Sequence, residues 1–539
     1  MQLKRPALHT ETLVLLASAW LLLGCNLPFW RAALAGRDWS AGGTWALAGA
    51  MLLSFGAAYV GFTLLVATRW TVRPVLTVLL LAGAALAYYM DRYAVFFDRN
   101  MLRNVLATHW TEARELVGAG YLLHMLAFGA VPVLLLWWPR LLVRPLRRAA
   151  LVRAAWLAAA FVLMVAALLP VFSDFASLMR NRREIRFLIN PANAVVASIQ
   201  EAFGSAGRPD KLQPVGTDAR LAAGAAQRRP KLFVLVVGET ARAQNFSLNG
   251  YARATNPELA ARDVVNFPDV RSCGTSTEVS LPCMFSQVGR RDYDEERILS
   301  QESLLHVLHR AGVQVLWRDN QSGCKGVCAG LPVQQMAADL DPLLCARGQC
   351  FDEALLQGLD AVAGSAKGSL FVVLHQLGSH GPAYDRRYPD RFRRFVPACS
   401  QDELRRCSQQ EIVNAYDNTI LYTDHVLGKL VDWLRAQEQR FDTAMLYVSD
   451  HGESLGEAGL YLHGVPYAFA PDVQTRVPMV MWISPSYARG THLDLGCLRA
   501  RARQPASHDN LFHTALGALD VQTKAYDAQL DLLRPCRGQ

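Results

Sequence analysis

The first third of the chain carries five long apolar runs, and no other feature of the sequence limits the possible folds so strongly. A helix needs about 20 apolar residues to cross the roughly 30 Å hydrocarbon layer of a membrane. Runs of about this length occupy residues 13–28, 44–67, 72–90, 121–138 and 149–172. Because hydrocarbon offers no partner to unpaired backbone groups, each run is predicted to be helical. Residues 1–172 are therefore predicted to form a transmembrane domain of five helices.

Two stretches beside these runs mix charged residues with large apolar ones. Residues 91–120, between the third and fourth runs, have the pattern of a helix that lies in the membrane interface, although an ordinary connecting helix fits equally well. Residues 173–230 begin with arginines among apolar residues and then turn to Gly, Ala, Pro and charge. This second stretch is predicted to be an amphipathic bridging segment followed by a linker.

Residues 231–539 are enough for one large α/β domain. Strand-like apolar runs occur at 232–237, 313–317, 370–374, 444–448 and 478–483, and helical patterns at 303–311 and 411–437. Alternation of this kind favours a mainly parallel sheet sandwiched by helices. The predicted fold is thus an α-helical transmembrane domain joined to a soluble α/β domain.

The cysteines indicate on which side of the membrane this second domain lies. Cys25 lies in the first apolar run, and the other cysteines all follow Asn266. They fall into the pairs Cys273–Cys283, Cys324–Cys328, Cys345–Cys350, Cys399–Cys407 and Cys497–Cys536. An even set confined to one domain predicts five disulfides in an oxidising compartment such as the periplasm. A zinc cluster built from the second and third pairs is the alternative, although neither pair has the two-residue gap usual for a zinc knuckle.

The formal net charge of +9 raises the question of nucleic-acid binding. A membrane-anchored domain outside the cytoplasm does not meet nucleic acid, so no such partner is expected. Attraction to anionic membrane lipids is the preferred interpretation.

Two of the strand-like runs end in side chains that bind metal ions. Glu239 follows the apolar run 231–237, and Asp450 and His451 follow the run 444–448. In an open parallel sheet the ends of the strands line the ligand crevice. Carboxylate and imidazole are common zinc ligands. Taken alone, an Asp-His-Gly sequence is more typical of a capped helix beside a turn glycine. The prediction of a metal site therefore depends on the presence of acidic residues at two strand ends.

A nucleophile is predicted in the loop between Cys273 and Cys283. Thr275, Ser276 and Thr277 supply three consecutive hydroxyl groups just before a helix-like stretch, whose N-terminus favours negative charge. Thr277 could also serve as the helix cap. Three further residues stand near other predicted strand ends or the metal motif and indicate phosphate binding or a second metal: Lys325, His380 and His463.

These motifs resemble those of the lipid A phosphoethanolamine transferases, a family that includes the mobile colistin resistance enzymes. The resemblance extends over nearly the whole chain, in order and spacing. It includes Gly238-Glu239-Thr240, Cys273-Gly274-Thr275, Thr277, Pro282-Cys283, His380-Gly381-Pro382, Tyr416-Asp417-Asn418, the run from Ser449 to Glu457, Leu462-His463-Gly464 and Ser507-His508-Asp509-Asn510.

The resemblance implies an alkaline-phosphatase-like fold and a role for each site residue. Zinc would be bound by Glu239, Thr277, Asp450 and His451, with Thr277 as the residue that becomes phosphoethanolaminated. Lys325, His380 and His463 resemble contacts to the substrate phosphate, which leaves open whether the two histidines hold a second zinc. Asn104, Thr108 and Glu112 resemble residues that reach the ethanolamine head group. Gln321 stands where some members have Asn, which affects only a secondary phosphate contact.

The same resemblance implies the activity. Phosphoethanolamine would pass from phosphatidylethanolamine to a phosphate of lipid A through a threonine intermediate, and affinity for polymyxins would fall. The enzyme is then expected in the bacterial inner membrane as a monomer, with residues 231–539 in the periplasm.

Three alternatives remain at this point. A transferase of the same chemistry could act on a core sugar of lipopolysaccharide or on a periplasmic glucan. A sulfatase or phosphatase would share the fold, but the C/S-x-P-x-R pattern of sulfatases does not occur at Thr277. A binding module on a transporter-like anchor would leave the metal ligands unexplained, and the spans lack the paired charges of a transport path.

Overall fold

The structure is a computed structural model that describes residues 5–108, 113–205, 211–336, 341–346, 349–401 and 403–538. The chain divides into two compact units. The helical unit comprises Met1–Leu102 and Val117–Glu201, and the α/β unit comprises Arg103–Leu116 and Ala202–Gln539. The short segment Arg103–Leu116 is thus grouped with the α/β unit, although it lies between two membrane helices in the sequence.

Long apolar helices make up the helical unit. Within the described part of the chain, four are long and apolar enough to cross a membrane: Gly42–Val66, Val72–Tyr93, Ala119–Trp137 and Leu146–Asn181. The third contains a π-helical turn at Met125–Ala130, and the fourth a 3₁₀ turn at Leu169–Val171. Many of their large apolar side chains, such as Phe62, Leu134 and Leu151, are exposed. This is the pattern expected of side chains that face lipid.

The first predicted span is a bent pair of helices, Thr10–Gly24 and Leu27–Ala33, whose axes differ by 58°. Pro28 lies in the first turn of the second helix and has no backbone N–H to continue the ladder from the first, which accounts for the break. The pair counts as a fifth crossing if it forms one span. The structure therefore has four to five spans, as predicted from the apolar runs. Beyond them lie Arg99–Ala107, a 3₁₀ helix at Arg183–Leu188 and Ala192–Ser205.

The α/β unit is built on an eight-stranded sheet. Its strands in chain order are β1 (Lys231–Gly238), β2 (Val265–Arg271), β3 (Gln314–Asp319), β4 (Val333–Gln335), β5 (Leu370–His375), β6 (Asp442–Ser449), β7 (Arg476–Ile483) and β8 (Ala506–Ser507). Their order across the sheet is β8-β2-β7-β6-β1-β5-β3-β4. Only β7 runs antiparallel to its neighbours. The predicted mainly parallel sheet is confirmed.

Helices cover both faces of this sheet. Side chains of β1 alternate between two cores, with Phe233 on one face and Val234 on the other. The 28-residue helix Gln409–Ala436 packs on the Val234 face, while Leu304–Arg310 and Asp509–Ala518 pack on the Phe233 face. The remaining helices are Pro257–Ala260, Thr277–Met284, Glu295–Ser300, Leu359–Ser365, Asp472–Thr475, Pro485–Gly490 and Leu495–Arg501.

Three strands of the eight-stranded sheet lie outside the predicted set. β2 contains Pro268 and alternates apolar with polar residues, features that weaken its strand pattern. β4 and β8 have only three and two residues. Short edge strands of this kind leave no periodicity to recognise.

All five predicted cysteine pairs are joined as disulfides in the α/β unit. Cys25 of the helical unit is buried and unpaired among the described residues. Cys324 is bonded to Cys328 and Cys345 to Cys350, so these four cysteines do not form the alternative zinc cluster.

Candidate metal centre and nucleophile

The register between two central strands brings the predicted metal ligands together. β1 and β6 are parallel, and Gly238 of β1 is opposite Ser449 of β6. Glu239 and Asp450 follow these two residues directly, and His451 comes next in the chain. One ligand atom from each of the three side chains lies within 4.8 Å of the others. All three residues are fully buried.

The backbone around Glu239 is tightly packed. Thr240 has a φ of 52°, an uncommon value for a residue with a side chain, and its N–H donates to Asp450 Oδ1 at 3.2 Å. Gly378 approaches from the turn after β5 with a φ of 56°, and a Cβ there would lie 2.6 Å from the carbonyl oxygen of Glu239. Only glycine fits this position. The turn and the strand end therefore fix the backbone position from which the Glu239 side chain extends.

The donor set fits a divalent metal ion. His451 Nδ1 lies 2.9 Å from the carbonyl oxygen of Gly452, so when the ring is neutral its proton is on Nδ1 and its lone pair is on Nε2. His451 Nε2 then faces Glu239 Oε1 at 3.3 Å and Asp450 Oδ2 at 3.4 Å. Asp450 Oδ2 is buried and accepts no hydrogen bond from any residue that the structure describes. Two buried carboxylates and a lone pair that converge in this way have the arrangement that a cation would complete.

The ionisation of the three side chains is strongly coupled. Burial and the charge of Glu239 raise the pKa of Asp450 to about 6. Burial would raise the pKa of Glu239 as well, but its hydrogen bond to His451 and the charge of that residue lower the pKa to about 2. For His451, burial acts to lower the pKa, but Asp450 and Glu239 raise it to about 9. Without a metal ion, a proton on His451 is thus held between two carboxyl groups.

Thr277 joins this cluster from the first turn of the helix Thr277–Met284. Its Oγ1 lies 3.0 Å from Glu239 Oε2 and 3.2 Å from Oε1, within hydrogen-bond distance of both, and 3.4 Å from His451 Nε2. Ser276 occupies the N-cap position, so Thr277 is not the cap. The disulfide Cys273–Cys283 joins the preceding loop to the same helix. The hydroxyl oxygen therefore lies beside the candidate ligand atoms and at a helix N-terminus, which favours anions.

Two of the predicted phosphate contacts are histidines that lie next to this cluster. The ring of His463 is centred 4.5 Å from that of His451 and 5.3 Å from that of His380. Burial lowers the pKa of His463, which favours the neutral ring. Gln321 also reaches the cluster, since its Nε2 donates to Glu239 Oε2 at 3.2 Å.

Sequence analysis assigned no role to two buried residues beside the cluster. Glu453 Oε2 lies 2.9 Å from His463 Nδ1 and its Oε1 accepts from Tyr384 Oη at 2.8 Å, so it orients the His463 ring. His508 accepts from the backbone N–H of Cys273 at 3.0 Å and lies 2.9 Å from the carbonyl oxygen of Ser449. It thereby links the nucleophile loop to the end of β6. Both residues stand in the motifs that carry the family resemblance, which is the signal that could have identified them.

The third predicted phosphate contact, Lys325, has different neighbours. Its Nζ lies 2.8 Å from Ser322 Oγ and 3.8 Å from Glu278 Oε2. Glu278 follows Thr277 directly in the helix. Lys325 therefore does not contact Thr277 itself within the described structure but pairs with the next residue, Glu278.

The segment Arg103–Leu116 is attached to the α/β unit at both ends by buried ion pairs. Near its start, Arg103 contacts Glu295 and also Glu278, with Nη2 3.1 Å from Glu278 Oε1. Near its end, Glu115 pairs with the buried Arg387, whose Nε donates to the carbonyl oxygen of His380 at 2.8 Å. Each end of the segment thus contacts a residue that is adjacent or bonded to a predicted site residue.

The residues predicted to reach the head group fall on this segment. Thr108 Oγ1 donates to the carbonyl oxygen of Asn104 at 2.7 Å. Glu112 lies outside the described residues. The roles of all three remain predictions.

A mainly parallel sheet with a buried acid, acid and imidazole cluster at its strand ends, next to a helix-borne hydroxyl, defines a domain of the alkaline phosphatase and sulfatase class. The family model described as Sulfatase matches residues 231–521. A second model, described as Phosphoethanolamine transferase EptA/EptB, matches residues 54–203.

Individual relatives are similar over almost the full length. Phosphoethanolamine transferase EptA of Escherichia coli (strain K12) is 40% identical, with 99% of this chain and 98% of the relative covered. Phosphatidylethanolamine transferase Mcr-1 of Escherichia coli is 38% identical over 87% of each chain. The solved integral membrane protein lipooligosaccharide phosphoethanolamine transferase A (EptA) from Neisseria meningitidis superposes with a TM-score of 0.95 at 35% identity and covers 99% of this chain and 100% of its own. The chain belongs to the phosphoethanolamine transferase family.

Replacing Arg103 should weaken the attachment of its segment to the α/β unit. In Arg103→Gln, Glu278 and Glu295 lose a charged partner, and we expect a loss of about 2 kcal/mol of stability. Thermal unfolding of the full-length protein in detergent, with protease cleavage within residues 103–116, measures the effect. The control is Arg291→Gln, because the ion pair of Arg291 in the described structure is with its exposed neighbour Asp292 at 3.2 Å. Equal effects of the two substitutions would show that the Arg103 ion pairs do not hold the segment.

Proposed function

We propose that this protein is a zinc-dependent enzyme that transfers phosphoethanolamine from phosphatidylethanolamine to a phosphate of lipid A, with Thr277 as the nucleophile. The observation that carries the proposal is the position of Thr277 Oγ1, within 3.2 Å of both carboxylate oxygens of Glu239 and 3.4 Å from His451 Nε2. A hydroxyl in this place can lose its proton and attack phosphorus. Membership of the family supports the group transferred, and the name of the relative Mcr-1 supports the donor.

Glu239, Asp450, His451 and Thr277 are the residues that would hold the zinc ion. When bound, the ion supplies positive charge that favours loss of the Thr277 proton and offsets the negative charge of the phosphate. The buried Asp450 Oδ2, which accepts no hydrogen bond within the described structure, supports this assignment.

In the first step Thr277 Oγ attacks the phosphorus of phosphatidylethanolamine. The new bond joins Thr277 Oγ to phosphorus, and the bond between phosphorus and the glycerol oxygen breaks. The threonine proton passes to water, and the diacylglycerol oxygen leaves after it gains a proton from water. The N-terminal amides of the helix Thr277–Met284 are oriented to bind phosphate oxygens.

In the second step a phosphate oxygen of lipid A attacks the phosphoethanolamine group on Thr277. The bond from phosphorus to Thr277 Oγ breaks, and the free threonine returns. His380, His463 and Lys325 are the residues that we assign to the phosphate groups, and Asn104, Thr108 and Glu112 those that we assign to the ethanolamine. Because the lipid gains a cationic group, its attraction for polymyxins and other cationic peptides falls.

Both substrates are lipids, which explains why the enzyme has a membrane domain. Anchoring the site at the membrane surface confines the reacting head groups and replaces a diffusive search by orientation. The five disulfides support a location of the α/β unit in the periplasm, with the spans in the inner membrane.

The covalent intermediate should depend on Thr277. Thr277→Ala removes the attacking oxygen, so the phosphoethanolamine adduct should be absent and transfer should fall by on the order of 10⁴-fold or more. Mass spectrometry of the intact protein after exposure to phosphatidylethanolamine detects the adduct. Ser276→Ala is the control, because the neighbouring hydroxyl makes no capping hydrogen bond. An adduct that persists in Thr277→Ala would assign the nucleophile to Thr275 or Ser276 instead.

Zinc affinity should rise with pH. The ligands must lose their protons before they bind metal, and the pKa of Asp450 is about 6 while that of His451 is about 9. Protons therefore compete with zinc below about pH 9 and compete more strongly below about pH 6. Competition with a chelator at several pH values measures the affinity. In His451→Gln the dependence between these two values should flatten, and an unchanged profile would exclude His451 as a ligand.

The acceptor can be identified by mass spectrometry of lipid A from cells with and without this protein. We expect an increment of one phosphoethanolamine group on lipid A that requires Thr277. An increment on a core sugar or a glucan, with lipid A unchanged, would favour a transferase of the same chemistry but a different acceptor.

A further inference from the structure

A cavity of about 350 Å³ lies within the helical unit, at the N-terminal end of the helix Leu146–Leu168. It lies between the start of Thr10–Gly24, the residues after Gly42–Val66 and the first turns of Leu146–Leu168. Its volume is within the range of sites for small ligands.

The walls of this cavity carry an excess of positive charge. Three arginines line it, Arg69, Arg144 and Arg153, together with one carboxylate, Glu11. Arg144 is neutralised, since its Nη1 lies 2.6 Å from Glu11 Oε2.

The other two guanidinium groups have no carboxylate partner among the residues that the structure describes. Arg153 donates to the carbonyl oxygen of Ala67, and Arg69 lies over the ring of Trp70 at 4.0 Å from its centroid. Two guanidinium groups are thus left to attract an anion.

Much of the remaining wall is apolar, and several of its side chains are exposed. Leu142, Val143 and Leu146 line the cavity and are 43%, 55% and 67% exposed. Trp70, which is 66% exposed, also lines it, and tryptophan is typical of the boundary between lipid and water. The cavity therefore combines a cationic part with an apolar part, as the head group and acyl chains of a phospholipid require.

We propose that this cavity binds the phosphate group of an anionic glycerophospholipid, with Arg69 and Arg153 as its cationic contacts. Guanidinium groups bind phosphate oxygens through paired hydrogen bonds. Basic pockets between membrane helices are sites for anionic head groups. The site is separate from the cluster around Thr277, and its occupant differs from the zwitterionic donor lipid by its net charge.

Native mass spectrometry of the full-length protein in detergent tests the proposal, with phosphatidylglycerol and phosphatidylcholine as the added lipids. The wild-type protein should retain phosphatidylglycerol in preference to phosphatidylcholine. In Arg69→Gln/Arg153→Gln the affinity for phosphatidylglycerol should fall by on the order of tenfold. The matched control is Arg147→Gln/Arg148→Gln, which removes the same amount of charge. These two arginines are exposed, lie in the helix that carries Arg153, and do not line the cavity.

Equal losses of phosphatidylglycerol affinity in the two double variants would show that the lipid is attracted by the basic surface in general, and would overturn the proposal. Equal binding of both lipids would do the same. Displacement of the lipid by millimolar inorganic phosphate would identify a site for free phosphate instead. Arg69→Gln alone provides a further test if the double variant fails to fold, because Arg69 is exposed and its guanidinium group lies over the ring of Trp70.

Discussion

The site depends on the register of β1 and β6. These strands pair so that Gly238 lies opposite Ser449, and the next residues, Glu239 and Asp450, therefore emerge side by side. A shift by one residue would turn one of the two side chains to the other face of the sheet. The same backbone hydrogen bonds that stabilise the centre of the sheet thus set the distance between two buried carboxylates. Their mutual repulsion is what a bound cation or a protonated His451 has to offset.

Ion pairs link the segment Arg103–Leu116 to residues beside this site. Arg103 and Lys325 both contact Glu278, which follows Thr277, the proposed nucleophile. Glu278 is therefore shared between a cation from the α/β domain and a cation from a stretch that connects two membrane helices. Loss of Arg103 would leave Glu278 with Lys325 as its remaining cationic partner. A residue from the stretch between two membrane helices in the sequence thus contributes to the charge balance beside Thr277.

Sequence patterns could predict the centre of the α/β unit but not its edges or its long-range ion pairs. β1 and β6 are buried on both faces, so they appear as continuous apolar runs, and the ligands follow directly at their ends. β2 contains Pro268 and was not predicted. The pair Arg103 and Glu278 is separated by 175 residues, and Glu115 and Arg387 by 272. No local pattern records such contacts, because they arise only from the packing of the complete fold.

The disulfides have a consequence for biogenesis. In four of the five, the partners are at most ten residues apart in sequence, and in the fifth they are 39 apart. A chain exported from its N-terminus exposes both members of each close pair almost together, before later cysteines emerge. Correct oxidation can therefore proceed in the order of export, with few wrong partners for an isomerase to undo.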